Sequence, residues 1–386
     1  MRILQKLPEY GYYFGPGIAR SEMIIGTYCM KILLLSPYDA MSHRYWREGL
    51  VEQLQEHEFT TVTLPPRFFS WRFRGNSLTM SQDERLKFQY DLVIATSMTD
   101  LSALKGMCKT LANVPSILYF HENQFAYPDE AYFEEASANH LVERQITSIY
   151  SAISADQLVF NSEFNRQSFV RGVSQFLEKM PDGVPPGIRL SLEEKSQVIA
   201  VALRPRDVAE TAKPSLLNIV WNHRWEHDKG VVELSNLVQS LLKTSLDFRF
   251  HIIGQSFRQV PEEIVACCEV LQQASKLGQK GFIKDRESYL RLLDDCHIVL
   301  STARHEFQGL AVLEAIQAGC MPVVPDDLAY REFVSPRYRF RDLEDAVGMI
   351  EQIWEGEYDH QQKPVLPEQV SWDDVQRSWR ELLQQL

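Results

Sequence analysis

The sequence predicts an α/β protein with two doubly wound domains that face each other across a cleft. Short apolar runs alternate with amphipathic stretches in the first half of the chain, and a proline- and glycine-rich stretch interrupts the alternation before a second series begins. Strands that alternate with helices favour a parallel sheet covered on both faces. The length of 386 residues also favours two domains over one.

The first domain is predicted to span residues 30–171, after an N-terminal extension over residues 1–29. Helical patterns separate its apolar runs, and after the first run Trp46, Leu50 and Leu54 recur every four residues. The five predicted strands cover residues 31–36, 59–64, 91–95, 116–120 and 157–161, and the clearest later helices cover 138–153 and 162–171.

Residues 172–214 are interpreted as a linker region, because they hold prolines and glycines and show little periodicity. The second domain is predicted over residues 215–360. Its predicted strands cover 217–221, 248–253, 281–283, 298–301 and 321–324, and its helices cover 231–242, 262–274, 286–294 and 310–317. The C-terminal segment 361–386 contains an amphipathic helix, for which a return to the first domain is an open alternative. Doubly wound sheets bind ligands at the carboxyl ends of their strands, so the cleft is the expected site.

Composition limits the classes of partner. With 40 Lys and Arg against 52 Asp and Glu, the net charge is −12, so a nucleic acid or an anionic membrane would need a local basic patch. No apolar run is long enough to span a membrane, and residues 1–28 do not resemble a signal peptide. The six cysteines form no C-x-x-C pair, which favours free thiols in a cytoplasmic protein.

Two common nucleotide-binding motifs are absent. Neither domain has G-x-G-x-x-G after its first strand, and G-x-x-x-x-G-K-[ST] does not occur. The sequence therefore disfavours a nicotinamide dehydrogenase and a P-loop phosphotransferase.

The strongest candidate site follows the predicted strand 298–301. Glu306 and Glu314 are separated by seven residues, and the helix between them begins near Gln308, Gly309 and Leu310, whose free N–H groups suit an anion or a sugar oxygen. Two carboxylates in this position suit two vicinal diols, one on a sugar and one on a ribose. The alternative is a solvated helix with an acidic first turn, but Glu314 lies within an apolar run.

A second candidate site follows the first strand of the second domain. Arg224 and Lys229 are separated by four residues in a strand-to-helix loop, where they can hold a diphosphate from two sides. The alternative is that both are surface cations paired with Glu226 and Asp228.

The first domain contributes a third candidate, His121, Glu122 and Asn123, directly after the strand 116–120. A histidine beside a carboxylate can hydrogen-bond a sugar hydroxyl across the cleft. A structural histidine with satisfied hydrogen bonds is the alternative.

A basic and aromatic segment over residues 65–75 is the candidate nucleic-acid contact. Arg67, Arg72 and Arg74 are interleaved with Trp71 and three phenylalanines, with no acidic residue. Arginine beside aromatic rings suits phosphate contact and base stacking. Two alternatives stay open: a loop whose aromatics pack under the sheet edge, and an amphipathic membrane contact.

These segments, in this order, resemble the two-domain GT-B glycosyltransferases with Rossmann-like domains, specifically the retaining family-4 group. A closer resemblance is to the tRNA-queuosine α-mannosyltransferases. The departure is in the first loop, where many family-4 enzymes carry Gly-Gly and this chain has Ala40-Met41. The segments that carry the closer resemblance are residues 42–44, 119–124, 161–169, 221–229 and 301–314, with Gly319-Cys320.

The resemblance implies a role for each matching residue. Arg224, Lys229, Glu306 and His121 would be catalytic, with the two cations on the donor diphosphate and the other two on the sugar. The remaining donor contacts would be Glu314 on the ribose, Gly254 and Ile283 near the base, and the backbone of Gln308, Gly309 and Leu310. The acceptor side would comprise Ser42, His43, Arg67, Trp71, Arg72, Arg74, Glu122 and Asn123.

The resemblance further implies a retaining transfer of mannose from GDP-mannose to the queuosine of a tRNA, without a metal or other cofactor. Because no carboxylate is placed as a nucleophile, a front-face transfer is expected. Two alternatives remain: a family-4 enzyme with a lipid, saccharide or small-metabolite acceptor, and a non-catalytic nucleotide- or RNA-binding protein. UDP-sugars also remain open as donors.

Overall fold

A computed structural model describes residues 29–126, 135–207, 213–256, 260–356 and 364–386. The predicted N-terminal extension lies outside the described residues, except for Cys29.

The first domain contains a six-stranded parallel sheet with the strand order β2-β1-β3-β4-β5-β6. Its strands are β1 (Lys31–Ser36), β2 (Glu58–Thr63), β3 (Leu92–Thr96), β4 (Ser116–Phe120), β5 (Gln157–Phe160) and β6 (Ser196–Val198). Its helices are α1 (Met41–Gln53), α2 (Phe69–Met80), α3 (Leu101–Met107), α4 (Glu135–Ser154), α5 (Glu163–Leu177) and α6 (Ile188–Glu194).

The second domain repeats this plan, with the strand order β12-β11-β10-β7-β8-β9. Its strands are β7 (Leu217–Asn222), β8 (Phe248–Ile253), β9 (Leu277–Gly281), β10 (Ile298–Leu300), β11 (Met321–Pro325) and β12 (Arg339–Phe340). The helices that follow are α7 (Val231–Leu241), α8 (Glu262–Gln273), α9 (Arg286–Asp295), α10 (Leu310–Gln317), α11 (Tyr330–Phe333), α12 (Leu343–Glu355) and α13 (Trp372–Leu383).

Both faces of the first sheet are covered, as its unbroken apolar strands require. In β1, Leu33 and Leu35 belong to the apolar core on one face, while Ile32 and Leu34 belong to the core on the other. Successive side chains of a strand point to opposite faces, so a strand that is buried on both faces needs apolar residues at consecutive positions.

Several elements differ from the sequence prediction. The segment predicted as a linker, 172–214, contains the end of α5, all of α6 and strand β6, so the first sheet continues through it. Strand β6 has only three residues, too few to show a periodicity. Strand β9 covers Leu277–Gly281 instead of the predicted run 281–283. Its sequence LGQKG is mostly polar and only partly buried, so no apolar run marks it. The helices α2 and α12 were not predicted, although α12 has a continuous buried face.

The C-terminal helix α13 packs on the first domain. Its Trp379 ring stacks on Tyr119 at 5.9 Å, and Gln53 of α1 donates to the carbonyl of Trp372 at 3.0 Å. Arg380 also forms an ion pair with Glu56, with Nε 2.6 Å from Oε1. The last helix of the chain therefore belongs structurally to the first domain.

Two further contacts join the domains beside the cleft. The carboxylate of Glu332 in α11 accepts hydrogen bonds from the backbone N–H groups of Glu163 at 2.8 Å and Phe164 at 2.5 Å, at the start of α5. The side-chain amide of Gln308 both donates to and accepts from the main chain of Val201, at 2.9 Å each way. The opposite domain thus satisfies two of the free N–H groups in the first turn of α5, while the Ser162 side chain accepts from the N–H of Asn165.

We expect Glu332→Ala to open the cleft, because it removes the only side chain described as accepting from those two N–H groups. Loss of a side chain that accepts from N–H groups at a helix N-terminus costs about 1 kcal/mol, and here the same side chain also joins two domains. Small-angle X-ray scattering should show a larger radius of gyration for this variant. Glu163→Ala is the matched control, since the Glu163 side chain pairs within α5 with Arg166. An unchanged radius of gyration in Glu332→Ala would contradict the role of Glu332 in holding the two domains together.

Candidate functional site

The cleft is lined by loops that follow the carboxyl ends of β1 and β4 in the first domain and β7 and β10 in the second. Both sheets are parallel, so these ends lie at one edge of each sheet. The structure brings together Lys229, Glu306 and, from the opposite domain, Glu122, whose charge interacts with Arg224.

The loop after β7 is held by a close approach to the end of β10. Gly230 has φ +69°, and a Cβ at this position would lie 1.8 Å from the carbonyl oxygen of Thr302. The Thr302 hydroxyl in turn donates to the carbonyls of Lys229 and Gly230 at 3.0 and 2.9 Å. Only glycine permits this geometry, and it fixes Lys229 against the loop that carries Glu306.

Lys229 is buried between two carboxylates. Its ammonium donates to the carbonyl of His305 at 2.7 Å and lies 3.3 Å from Glu306 and 3.2 Å from Asp228. Three partners match the three protons of an ammonium group, so its position is fully determined.

Glu306 is held ionised by this cluster. Burial raises the pKa of its carboxyl, but the charges of Lys229, His223 and His305 and a hydrogen bond from the Gly309 backbone outweigh burial and lower it to about 2. The pKa of Asp228 is likewise below its usual value, because Lys229 and His305 outweigh the effect of burial. Two fixed negative charges therefore flank one fixed positive charge.

Arg224 extends from the same loop and is half exposed. Its guanidinium lies 2.9 Å from Glu226 and 3.8 Å from Asp228. The alternative interpretation of the sequence, pairing with these two acids, therefore describes the geometry here. An exposed ion pair of this kind is worth about 0–1 kcal/mol, so an incoming diphosphate can replace Glu226 at small cost.

The first domain presents two stacked histidines to the cleft. The rings of His43 and His121 lie 4.2 Å apart and 17° from parallel, and Trp46 meets His121 edge-on at 5.0 Å. Burial and the neighbouring His43 lower the pKa of His121 well below its ordinary value, so the ring is neutral. Its Nε2 is buried and has no hydrogen-bond partner in the described part of the chain. A buried polar atom without a partner suits a hydroxyl group of a ligand.

Glu122 connects the two sides of the cleft. One of its oxygens lies 3.3 Å from Nε2 of His43. Burial raises the pKa of Glu122, but His43 and, from the second domain, Arg224 and His305 lower it below its usual value. The carboxylate is therefore charged and faces the cations of the opposite domain.

Glu314 lies at the base of a separate corner of the site. Arg286 and Tyr289, both from α9, donate to its two oxygens, the tyrosine at 3.0 Å. Asn222 donates to the Tyr289 oxygen at 3.2 Å, and its own Oδ1 is buried without a described partner. Arg286 and Tyr289 are not among the site residues that the sequence predicts, although their spacing of three places both on one face of a helix.

The remaining predicted donor residues lie at the carboxyl edge of the second sheet. Gly254 follows β8, has φ +150°, and would place a Cβ 1.7 Å from the carbonyl oxygen of His223. Ile283 follows β9 and packs partly against the core, and Leu310 begins α10 after Gly309, whose φ is +79°. The Gln308 side chain binds Val201, and its backbone N–H lies 3.5 Å from a carboxylate oxygen of Glu306.

The predicted acceptor residues separate into two groups. Ser42, Arg67, Trp71 and Arg74 are exposed, and Arg74 pairs with Asp100 at 3.2 Å. Arg72, in contrast, is buried, which corrects its assignment as a phosphate contact. The reason is that residues 69–80 form a helix instead of the expected loop, so Arg72 points to the interior face.

Asn123 also requires a correction. Its amide nitrogen donates to Oδ1 of Asn165 at 2.8 Å and to Ser168 at 2.9 Å, and its oxygen accepts from the backbone of Phe125 at 2.9 Å. These bonds use the side chain within the first domain. Asn123 therefore holds the loop after β4 in place and has no free group for an acceptor.

Within the ranges that the structure describes, no three His, Cys, Asp or Glu side chains are grouped as a metal site. No helix in those ranges is long and apolar enough to cross a membrane.

Comparison with sequence families gives two matches that divide the chain. Residues 31–203 match the family described as tRNA-queuosine alpha-mannosyltransferase N-terminal, and residues 209–357 match Glycosyl transferases group 1.

Two relatives extend these matches. The tRNA-queuosine alpha-mannosyltransferase of Drosophila melanogaster is 34% identical over 317 residues, which cover 79% of this chain and 82% of that protein. A GDP-mannose:cellobiosyl-diphosphopolyprenol alpha-mannosyltransferase of Xanthomonas oryzae is 24% identical over 161 residues, covering 36% of this chain and 42% of that protein.

Solved structures confirm the predicted fold class. Anabaena HepE in complex with UDP and glucose aligns with a TM-score of 0.63 at 14% identity, over 92% of this chain and 100% of that one. The E. coli structure described as trehalose-6-phosphate bound with UDP-2-fluoro glucose gives a TM-score of 0.61 at 11% identity, over 92% and 99%. Both show the GT-B architecture of two parallel-sheet domains.

Proposed function

The chain belongs to the tRNA-queuosine alpha-mannosyltransferase family, and from this premise we propose that it transfers mannose to the queuosine nucleoside of a tRNA. The observation that carries this proposal is the 34% identity to the Drosophila enzyme over 79% of the chain. The cleft supports it, because Lys229 and Glu306 from two loops form one buried charged pair at the edge of the second sheet.

We propose GDP-mannose as the donor, bound without a metal. The alpha-mannosyltransferase names of both relatives support the sugar, and the Xanthomonas enzyme, named for GDP-mannose, supports the base. The cations Arg224 and Lys229 supply the charge that a metal supplies in other transferases. Glu314, with Arg286 and Tyr289, provides a polar corner that suits the ribose hydroxyls.

The reaction separates a sugar from a diphosphate, so negative charge develops on the departing oxygen. Lys229 is already fixed in place and Arg224 is half exposed beside it, so both can stabilise this charge with little reorganisation. Glu306 is ionised and suits the hydroxyl groups of the mannose, while the neutral His121 offers an unpaired buried nitrogen from the opposite side.

A front-face transfer with retention fits these groups. The bond from the anomeric carbon to the phosphate oxygen breaks, and a bond to the acceptor oxygen forms on the same face. The departing phosphate oxygen takes the proton of the acceptor hydroxyl. Closure of the two domains excludes the water that would otherwise hydrolyse the donor.

We expect Glu226→Gln to strengthen donor binding. Glu226 competes with the diphosphate for Arg224, from which it lies 2.9 Å away, and glutamine keeps its shape without its charge. The KM for the donor should fall by about two- to fivefold, as expected for an exposed pair worth up to about 1 kcal/mol. Steady-state kinetics at low ionic strength measure this change. Glu287→Gln, which removes a similar exposed partner from Arg291 on α9, is the control. An increased KM in Glu226→Gln would contradict displacement of this acid by the donor.

The proposed function is tested by offering the protein a panel of nucleotide sugars with queuosine-containing tRNA, followed by nucleoside mass spectrometry. Queuosine should gain one hexose with GDP-mannose and little with UDP-glucose or UDP-galactose. A preference for a UDP-sugar would contradict the donor assignment. Transfer to a lipid or free saccharide, with queuosine unchanged, would contradict the assignment of tRNA as the acceptor.

A further inference from the structure

We infer that the outward face of α2 binds the RNA chain next to the target nucleoside, an inference that rests on the proposed function. Five exposed residues are here called the α2 stripe: Trp71, Arg74 and Leu78 lie three or four residues apart on α2, and Arg67 and Phe68 directly precede the helix. The spacing puts the three helical residues on one face of α2. The 12 residues of α2 include no acid, so the stripe is a basic and aromatic strip on a protein of charge −12.

The Trp71 ring lies flat on its own helix because Gly75, one turn later, has no side chain. A Cβ at Gly75 would lie 2.6 Å from the indole, so glycine is what lets the ring lie across the helix surface. The indole is nevertheless 58% exposed. A ring that is fixed on one side and open on the other loses little entropy when a base stacks on it, and such stacking is worth about 1–3 kcal/mol per base.

Phe68 adds a second exposed ring in an unusual conformation. It has φ +55° without being glycine, and 66% of its surface is exposed. The Arg67 guanidinium lies 5.6 Å from its ring centroid. A strained backbone that leaves a phenylalanine in solvent has no packing explanation, and such strain is concentrated at binding sites.

The α2 stripe begins beside the cleft. The ring of Phe69, the first residue of α2, meets Tyr38 edge-on at 5.5 Å. Burial raises the pKa of the Tyr38 phenol, and the charges of Arg224 and Glu122 also act on it, so Tyr38 lies near the candidate phosphate site. The helix then extends about 18 Å from this point. A nucleic acid whose nucleoside enters the cleft can therefore continue along the stripe.

Charge and chemistry favour RNA as the occupant. Arg67 precedes α2 and Arg74 lies on it, with Trp71 between them in the sequence, so phosphate contacts would flank a stacking surface. Arg74 pairs with the buried Asp100 and donates to Thr147, yet about half of its side chain is exposed, so a phosphate can approach its solvent-facing side without replacing that pair. A protein partner or a membrane would need a broader apolar surface than three side chains interrupted by two arginines.

The test measures binding of a fluorescein-labelled RNA hairpin whose loop carries queuosine, by fluorescence anisotropy at two salt concentrations. Trp71→Ala should weaken binding about tenfold or more. Gly75→Ala should weaken binding as well. The new Cβ would displace the Trp71 ring from its position, although the tryptophan itself is unchanged. Arg67→Ala should weaken binding by a few fold and reduce the salt dependence by about one phosphate contact.

Two matched controls lie elsewhere on the first domain. Phe88→Ala removes another exposed ring, and Arg189→Ala removes another exposed arginine that pairs with Glu193. Both should bind the hairpin within twofold of the parent protein, and all variants should keep their affinity for GDP. Parent-like binding by Trp71→Ala and Arg67→Ala, equal losses in the controls, or no binding by the parent protein would overturn the inference. Binding that depends on the stripe without any sugar transfer would instead overturn the proposed function.

Discussion

Replacing Lys229 with methionine is expected to lower kcat for sugar transfer by about 10³-fold. The ammonium is the fixed cation nearest the proposed diphosphate, and its loss removes charge stabilisation that matters most as the phosphate departs. Affinity for GDP should fall as well, because the product carries the same diphosphate. Single-turnover kinetics with GDP-mannose and titration calorimetry with GDP measure the two effects.

This variant also disturbs the fold, so the experiment needs a second variant. Lys229 lies between Glu306 and Asp228, and removing one partner of a buried charge cluster costs about 3–5 kcal/mol. The double variant Lys229→Met with Asp228→Asn removes one charge of each sign and should recover most of the thermal stability. Its transfer rate should stay low. Recovery of activity together with stability would contradict a direct role for Lys229.

Glu306→Gln is expected to lower kcat/KM for transfer by about 10²- to 10³-fold while leaving GDP affinity within threefold. Glutamine has nearly the same shape but lacks the charge that Lys229 stabilises from 3.3 Å away. Because GDP has no mannose, a residue that contacts only the sugar should not affect its binding. The ratio of the two effects therefore separates the sugar contact from the diphosphate contact.

The matched control for Glu306→Gln is Glu233→Gln, on the neighbouring helix α7, where the carboxylate is partly exposed. This variant should transfer mannose at the parent rate. Loss of GDP affinity in Glu306→Gln equal to its loss of transfer would contradict a role at the sugar. It would show instead that Glu306 acts by holding Lys229.

The sequence predicts most of the fold because both sheets are buried on both faces. Strands such as β1 and β4 contain an unbroken apolar run, and the helices between them have clear apolar faces. The edge strands β6 and β12 could not be predicted, because they have only three and two residues, which are too few to show an alternating pattern. Helix α2 was missed for another reason: its apolar and polar residues do not form a simple stripe, because Arg72 and Asn76 are buried.

The candidate site was predictable only where its residues follow a strand directly. Lys229, Glu306 and His121 all lie in loops after the carboxyl ends of central strands, which the fold class itself places at the cleft. Arg286 and Tyr289 reach Glu314 from a helix, and Glu332 reaches α5 from the opposite domain. Such contacts depend on how the domains pack, which no local pattern reveals.

The most direct test of the central claim compares two tRNAs that differ only in whether one guanosine has been replaced by queuosine. Each is incubated with the protein and GDP-mannose, digested to nucleosides and analysed by mass spectrometry. We expect queuosine to gain one hexose and the unmodified tRNA to gain none. Equal hexose incorporation into both tRNAs, or none into the queuosine-containing tRNA while the donor is consumed on another acceptor, would contradict the claim.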